Sequence, residues 1–268
     1  MKTLIIGIIM SLPFNYLFAQ NPSNFQLLID SIYMELDTSD MAAKVLLHKS
    51  IMGKMTESYN ETNDSISDFN KWFILYNAMK SSSYERAGFL KYEDFAEIIR
   101  ENSQNRIIPI VAINYNYNIF KSNALDSNLI DTISGIVFDV EERIENPYEV
   151  RKLFSATPVL DFSTEDTVRF MFDSLHYFTN DNVGVSEISI DFGDGGGFRT
   201  INFNEIISIV YATEGKKNIQ IRVTLNNTVE LNAYSEIAFK KTWVYPLDEE
   251  GFISGTIPYE AEADVAMD

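Results

Sequence analysis

The chain contains no cysteine, and it has only two histidines and two tryptophans among its 268 residues. Without cysteine it has no disulfide bonds, no thiolate nucleophile and no cysteine-ligated metal, so its stability must come from packing and hydrogen bonds. The histidines, His48 and His176, lie far apart, whereas a zinc-protease motif needs two histidines four residues apart with a glutamate between them. We therefore predict no catalytic, metal-ligating or cofactor-binding residues.

Long apolar runs are scarce as well. The run from Leu4 to Leu12 follows Lys2, and it is too short for a membrane-spanning helix, which needs about 20 residues. A positive residue, a short apolar run and a small residue such as Ala19 before Gln20 are typical of an export signal. We predict a signal peptide over residues 1–19, a secreted or cell-surface location and no membrane insertion after the signal is removed.

Positive charge is the third scarcity. The chain has 21 Lys and Arg against 39 Asp and Glu, which gives a formal net charge of -18. Such a charge repels nucleic-acid phosphates and anionic lipid headgroups, so neither is an expected partner. By contrast, hydrophobic residues make up 46% of the chain and aromatic residues 13%, which is enough apolar material for a packed core.

The apolar spacing in residues 20–155 predicts a mostly helical region with a few strands. Phe25, Leu28 and Ile32 fall on one helix face. A second helix is predicted from Met41 to about Tyr59. A third helix, capped by Ser67, is predicted from an aromatic stripe made of Phe69, Trp72, Phe73, Tyr76 and Met79. A fourth, shorter helix is predicted from Phe95, Ile98 and Ile99.

Strand periodicity replaces helix periodicity further along the chain. The runs from Ile107 to Tyr117 and from Ile136 to Val140 predict strands. Short alternating segments with turns between them then predict a β-sandwich at residues 156–245. Residues 246–268 form an acidic tail or the start of a further domain. The predicted fold class is α+β and multidomain, with a boundary near residue 156.

One strand runs directly into a glycine-rich turn, in the sequence from Glu187 to Gly197. Asp191 and Asp194 can accept backbone hydrogen bonds there, and Gly193 and Gly195 allow the positive φ angles of a tight turn. A calcium loop would need oxygen ligands at alternate positions, and Phe192 and Gly193 separate the two aspartates. We therefore interpret these residues, together with Gly215 further on, as structural turn residues.

This turn, and the later segment from Val210 to Gly215, resemble the two signatures of PKD (polycystic kidney disease) domains, which are immunoglobulin-like β-sandwiches. The second signature is a tyrosine followed four residues later by glycine, here Tyr211 and Gly215. The likeness covers about residues 156–242. The sequence departs from the family pattern at Ile190, Ile209 and Lys217, and the two isoleucines are still good strand formers.

The resemblance implies a non-catalytic secreted or surface protein whose sandwich serves interaction or spacing, with a protein or polysaccharide as partner. Exposed aromatic residues of the sandwich could stack on sugar rings, the candidates being Tyr177, Phe178 and Phe198. A second resemblance, to the front part of long secreted Bacteroidota proteins, implies an alternative: an accessory region before an α/β-hydrolase domain.

Five Asp-Ser/Thr-apolar triplets resemble the O-glycan sites of such proteins, and glycans at these positions would raise solubility. They begin at Asp30, Asp64, Asp131, Asp166 and Asp173.

Overall fold

The computed structural model describes residues 24–59, 65–86, 88–165 and 167–240. These residues form an α+β fold that is dominated by strands and built around sandwich-like sheets. The predicted signal peptide at residues 1–19 and the predicted tail at residues 246–268 lie outside the described residues.

Three α-helices and two short 3-10 helices occupy the first part of the described chain: α1 Asn24–Ile32, η1 Leu47–Lys49, η2 Gly53–Ser58, α2 Phe69–Ser82 and α3 Tyr92–Gln104. The strands are β1 Ile66–Ser67, β2 Ile107–Phe120, β3 Ile130–Ile133, β4 Ile136–Asp139, β5 Tyr148–Pro158, β6 Phe162–Ser163, β7 Val168–Thr179, β8 Val185–Asp191, β9 Arg199–Ile201, β10 Ile206–Ile209, β11 Gly215–Leu225 and β12 Glu230–Phe239.

The strands form two main sheets and a hairpin. The larger sheet has the order β1-β12-β11-β8-β9, and β6 also pairs with β12. The smaller sheet has the order β10-β7-β2-β5, and β3 pairs with β4 alone. Strands β11 and β12 are antiparallel neighbours in sequence, whereas β2 and β7 are parallel and distant in sequence. The second pairing therefore depends on contacts that no local pattern specifies.

The strands predicted from alternation are confirmed at β2, β4, β7, β8 and β11. In β11 the apolar residues Ile219, Ile221, Val223 and Leu225 are buried, and the residues between them remain partly exposed. This alternation places one face of the larger sheet on the core and the other face on the surface.

The central strand β2 is buried on both faces. Tyr117 and Ile113 lie on the face that periodicity assigned to the core, and both are buried. Asn114 and Asn118, on the opposite face, are also completely buried. The strand lies between β5 and β7 in its sheet and also contacts α2 and α3. The Asn face is buried through other segments: Asn114 donates to the hydroxyl of Tyr177, and the side-chain oxygen of Asn118 accepts the amide hydrogen of Ala43.

Strand β5 crosses the position where a domain boundary was predicted. It pairs with β2 from Phe120↔Tyr148 to Ile110↔Pro158, so residue 156 lies inside a strand. The sheet then continues through β7 and β10. Strands from before and after residue 156 thus share one sheet, and their buried side chains belong to one hydrophobic core.

The helix predicted from Met41 to Tyr59 was wrong. That segment makes two isolated β-bridges, Val45↔Ser83 and Leu46↔Asn118, followed by the two short 3-10 helices. The amide of Asn118 donates to the carbonyl oxygen of Val45 at 2.7 Å, and the amide of Leu46 donates to Ser82 at 3.0 Å. Backbone groups that bond to distant residues in this way are no longer free for i to i−4 helical bonds.

The aromatic stripe of α2 is core, as the sequence suggested. Trp72 is completely buried, and its ring centroid lies 5.5 Å from that of Phe95 and 5.9 Å from that of Phe178. The predicted cap was displaced by one residue. Asp68 accepts the amide hydrogen of Lys71 at 2.8 Å and caps the helix, while the neighbouring Ser67 belongs to β1.

Four buried hydroxyl groups connect the two sheets at β5. The hydroxyl of Ser155 donates to that of Ser67 at 3.0 Å, and those of Thr157 and Ser235 lie 2.7 Å apart. All four residues are at most 2% exposed. Paired hydroxyls satisfy each other where water has no access, so they fix the position of β5 against β1 and β12.

Candidate functional site

The glycine-rich turn connects β8 to β9 and is held by its own aspartates. The Asp191 carboxylate accepts the amide hydrogen of Gly193 at 2.9 Å, and the Asp194 carboxylate accepts that of Gly196 at 3.1 Å. Gly193 has a φ of 70°, and a Cβ atom there would lie 2.4 Å from the carbonyl oxygen of Asn218. The glycine is therefore required both by the backbone angle and by the close approach of β11.

Asp194 is also bound by a cation. Arg199, the first residue of β9, places its Nη2 atom 2.6 Å from the Asp194 carboxylate. Partial burial alone would raise the pKa of Asp194, but the hydrogen bonds from Arg199 and from the Gly196 amide outweigh it and lower the pKa. The carboxylate stays ionised and serves the turn, and both of its oxygens are occupied by these two donors.

Tyr211 anchors the same turn from the other side. Its hydroxyl donates to the carbonyl oxygen of Phe192 at 2.9 Å, and both residues are buried. Burial raises the pKa of Tyr211, so the hydroxyl keeps its proton and remains a donor. Gly215, four residues later, has a φ of 104° and begins β11. Tyr211 thus anchors the turn that holds Asp191, Gly193 and Asp194, whereas Gly215 pairs with Phe239 at the start of β11.

Beyond the turn, the surface side of the larger sheet carries mostly polar side chains. We call it the outer face and define it by the exposed and partly exposed residues of β8, β9, β11 and β12 on that side: Glu187, Thr200, Gln220, Arg222, Thr224, Asn232 and Tyr234. Adjacent strands in a sheet are about 4.8 Å apart, so these side chains form rows of hydrogen-bonding groups across it.

Arg222 occupies the middle of the outer face, opposite Ser189 on one neighbouring strand and Asn232 on the other. Its guanidinium carbon lies 4.3 Å from the ring centroid of Phe198. Its Nε atom lies 3.2 Å from the Glu230 carboxylate and 3.4 Å from the Asn232 side-chain oxygen. Stacking on an aromatic ring and pairing with a carboxylate hold the guanidinium in one orientation.

The three aromatic residues considered for sugar stacking have different positions. Phe178 is buried and belongs to the aromatic cluster around Trp72. Tyr177 is partly buried, and its hydroxyl accepts a hydrogen bond from Asn114 at 3.1 Å. Phe198 alone of the three is exposed, at 40%. Only Phe198 therefore lies on a surface that a ligand could reach.

The histidines lie on different elements, and so does Ser186, whose segment from Gly184 to Ile188 comes nearest to the Gly-x-Ser-x-Gly motif of hydrolase nucleophiles but lacks its second glycine. His48 lies on η1, where its ring packs 4.8 Å from that of Phe120, whereas His176 is buried in β7. Ser186 donates its hydroxyl to the carbonyl oxygen of Thr224 at 3.0 Å. Within the described part of the chain, no group of three or more metal-ligating side chains converges.

Sequence reasoning missed the partnership of Phe198 with Arg222, and it also missed the buried position of His176. Phe198 lies in the β8–β9 connection and Arg222 on β11, and no spacing rule connects them. The burial of His176 depends on an irregular pairing between β7 and β2. The alternation of apolar and polar residues in the sequence does not show this irregularity. The Asp191 and Asp194 turn could be found from sequence because its partners are only two residues away.

Comparison with known proteins supplies no relative: no protein-family model matches the chain, and no curated protein matches its sequence. In the part of the chain that the structure describes, no helix is long and apolar enough to cross a membrane.

Proposed function

We propose that this chain is a non-catalytic secreted or cell-surface protein whose PKD-like, immunoglobulin-type sandwich serves interaction, with the outer face as its binding surface. The observation that carries the proposal is the guanidinium of Arg222, which stacks at 4.3 Å on the exposed ring of Phe198 on the outer face. A side chain held in one orientation loses little conformational entropy when a ligand binds.

The chemistry of the outer face favours a polysaccharide as the ligand. Thr200, Gln220, Thr224 and Asn232 offer neutral donors and acceptors, as sugar hydroxyls require. The central charge is already neutralised, because Arg222 pairs with Glu230. A surface of paired charges and neutral polar groups suits an uncharged polyhydroxyl ligand better than a nucleic acid or an anionic lipid.

Aromatic side chains at the edges of the face add apolar contact. Phe198 is 40% exposed, and Tyr234 is partly exposed on β12 opposite Gln220. The apolar faces of a sugar ring stack on such rings while its hydroxyl groups reach the polar rows. An extended glycan chain lying across the strands would contact both kinds of group.

The direct test is binding of the labelled protein to an array of neutral and acidic polysaccharides, followed by titration of each positive glycan. We expect binding to neutral glycans, and we expect Arg222→Ala to weaken it by about tenfold or more, because the loss of a stacked and hydrogen-bonded group typically costs about 1.5–3 kcal/mol. Phe198→Ala should weaken binding as well.

Arg151→Ala provides the matched control. Arg151 is an exposed arginine paired with Glu149 at 2.9 Å, on β5 of the other sheet. Its replacement should leave glycan binding unchanged. The proposal fails if no polysaccharide binds, or if Arg151→Ala weakens binding as much as Arg222→Ala does. A protein ligand would appear instead as protein capture that is lost in the Arg222 variant.

Export and glycan attachment belong to the same proposal. Of the triplet hydroxyl residues, Thr132, Thr167 and Ser174 are exposed. Ser31 is only partly exposed, and its hydroxyl donates to the carbonyl oxygen of Leu28 at 2.7 Å. In a host that modifies such triplets, intact-protein mass spectrometry should show that Thr132→Ala removes one glycan and Ser31→Ala removes none.

A further inference from the structure

Strand β7 contains a large irregularity in its pairing with β2. Ile110 pairs with Phe172 and Ala112 pairs with Tyr177, so Val111 alone stands opposite residues 173–176. We call these four residues the β7 bulge. Their backbone is supported locally, because the amide of Ser174 donates to the side chain of Asn204 at 3.0 Å. A bulge of this size redirects side chains that regular alternation would place elsewhere.

The β7 bulge turns Leu175 outward and His176 inward. Leu175 is 74% exposed, whereas His176 is 1% exposed. The histidine ring centroid lies 6.3 Å from that of Phe95 on α3, which itself contacts Trp72 and Phe178. Neither ring nitrogen has a hydrogen-bond partner among the described residues. A buried polar group without a partner is costly, and the cost rises if the group becomes charged.

One charged group acts on this ring. The carboxylate of Asp173, within the same bulge, lies 3.8 Å from Nδ1 of His176. Strand β2 contributes no charged residue. Lys71 and Lys80 of α2 bond to backbone oxygens of Ile66 and Leu90, and Glu205, beside Asn204, accepts from Asn202. The charged side chains of α3 point to solvent: Glu93, Asp94, Glu97, Arg100 and Glu101.

We propose that His176 is an acid-sensitive latch, which holds the β7 bulge and α3 together while its ring is neutral and releases them when the ring takes up a proton. The neutral ring fits the aromatic cluster on the α3 side. The imidazolium ion needs either water or two acceptors, and the cluster offers it one carboxylate at 3.8 Å. Protonation therefore favours a state in which the bulge opens and the ring reaches solvent.

The direction of the pH effect follows from burial. Desolvation lowers the pKa of His176 below its ordinary value of 6.5, and the nearby Asp173 carboxylate opposes this only in part. The closed state then binds the proton less well than the open state. The closed state therefore keeps its full stability above pH 6.5. As the pH falls from 6.5 to the lowered pKa, the equilibrium constant for opening rises by up to about tenfold for each pH unit.

The first experiment follows the imidazole of His176 by NMR in the His48→Gln variant, where it is the only histidine. We expect it to titrate below 6.5, with signals of Phe95 and neighbouring α3 residues changing at the same midpoint. Asp173→Asn should move that midpoint to lower pH, since it removes the carboxylate that favours the charged ring. A midpoint at or above 6.5, or α3 signals that do not follow the titration, would overturn the proposal.

The second experiment compares stability at pH 7.5 and pH 5 by urea unfolding for the protein, His176→Phe and the control His48→Gln. The many carboxylates contribute equally to all three, so the difference between variants isolates the histidine. We expect the loss of stability on acidification to be clearly smaller in His176→Phe. Burial lowers the pKa of His48 as well, but His48 is an exposed residue, so His48→Gln should reduce the loss less than His176→Phe does. Equal losses in all three would overturn the latch. If His176→Phe does not fold, the NMR titration still decides.

Discussion

The hydroxyl of Tyr211 provides the sharpest stability prediction, because it makes one buried hydrogen bond that supports the glycine-rich turn. The perturbation is Tyr211→Phe, which removes the hydroxyl and keeps the ring packed against Phe239 at 5.5 Å. The carbonyl oxygen of Phe192 then loses its 2.9 Å donor in a fully buried position. Leaving a buried acceptor without its partner costs about 1–3 kcal/mol.

The assay is urea unfolding at neutral pH, followed by fluorescence and circular dichroism. We expect the midpoint to fall without a change in the slope, because the surface exposed on unfolding stays the same. For a chain of this size each kcal/mol corresponds to a shift of about 2–4 °C, so thermal unfolding should occur roughly 2–12 °C lower.

Tyr148→Phe is the matched control. Tyr148 is also buried, and its hydroxyl has no hydrogen-bond partner among the described residues. Removing a buried hydroxyl that makes no bond should leave the free energy of unfolding within about 0.5 kcal/mol, or raise it slightly. If Tyr211→Phe and Tyr148→Phe have equal effects, the Phe192 carbonyl does not depend on Tyr211, and our account of the turn is wrong.

Three further predictions concern the turn and the junction of the sheets. Gly193→Ala should destabilise the protein more than Gly195→Ala in urea unfolding, since both residues have positive φ but only at Gly193 would a Cβ atom meet backbone, at 2.4 Å. Thr157→Val should cost about 1–2 kcal/mol by the same assay, because it leaves the buried Ser235 hydroxyl unpaired. Asp194 has a lowered pKa, so its ionisation stabilises the fold above pH 3.8, and that stabilisation is lost as the pH falls through the lowered value. Curves of stability against pH, measured from pH 6 to pH 2, should therefore be flatter at the acid end for Asp194→Asn than for the unsubstituted protein. Parallel curves would contradict the prediction.

The parts of the fold that local patterns determine were predictable. Strand β11 has alternating side chains and antiparallel neighbours on both sides, so its period of two persists in the structure. Helix α2 was recognised from its aromatic stripe, because Trp72 and Tyr76 repeat at the helical spacing. Each of these two elements buries one face against the rest of the protein and leaves the other face more exposed. The spacing of apolar residues then shows which face is buried.

The segment from Met41 to Tyr59 shows where that reasoning fails. Its apolar residues occur at helical spacing, yet the carbonyl oxygen of Val45 accepts from the amide of Asn118, and the amide of Leu46 donates to Ser82. Periodicity reports which side chains prefer burial, and it does not report which backbone groups will find distant partners. Tertiary hydrogen bonds decided the local structure there.

The candidate site divides in the same way. The aspartates of the turn accept amides two residues ahead, so residue type and spacing were sufficient to predict their role. Arg222 lies on β11 and Phe198 immediately before β9, and their contact exists only because β8 pairs with β11 and β9 pairs with β8. No local signal carries the order of strands in a sheet.

By itself, the sequence determined the chemistry that the chain lacks, the period of most strands and the form of the β8–β9 turn, because each of these depends on composition or on neighbours a few residues apart. Only the tertiary structure decided that strands on both sides of residue 156 share a sheet, that Arg222 stacks on Phe198 and that His176 is enclosed beside Phe95. These features depend on pairings between distant segments, whose free energy comes from burial and hydrogen bonds that form only when the whole chain has folded.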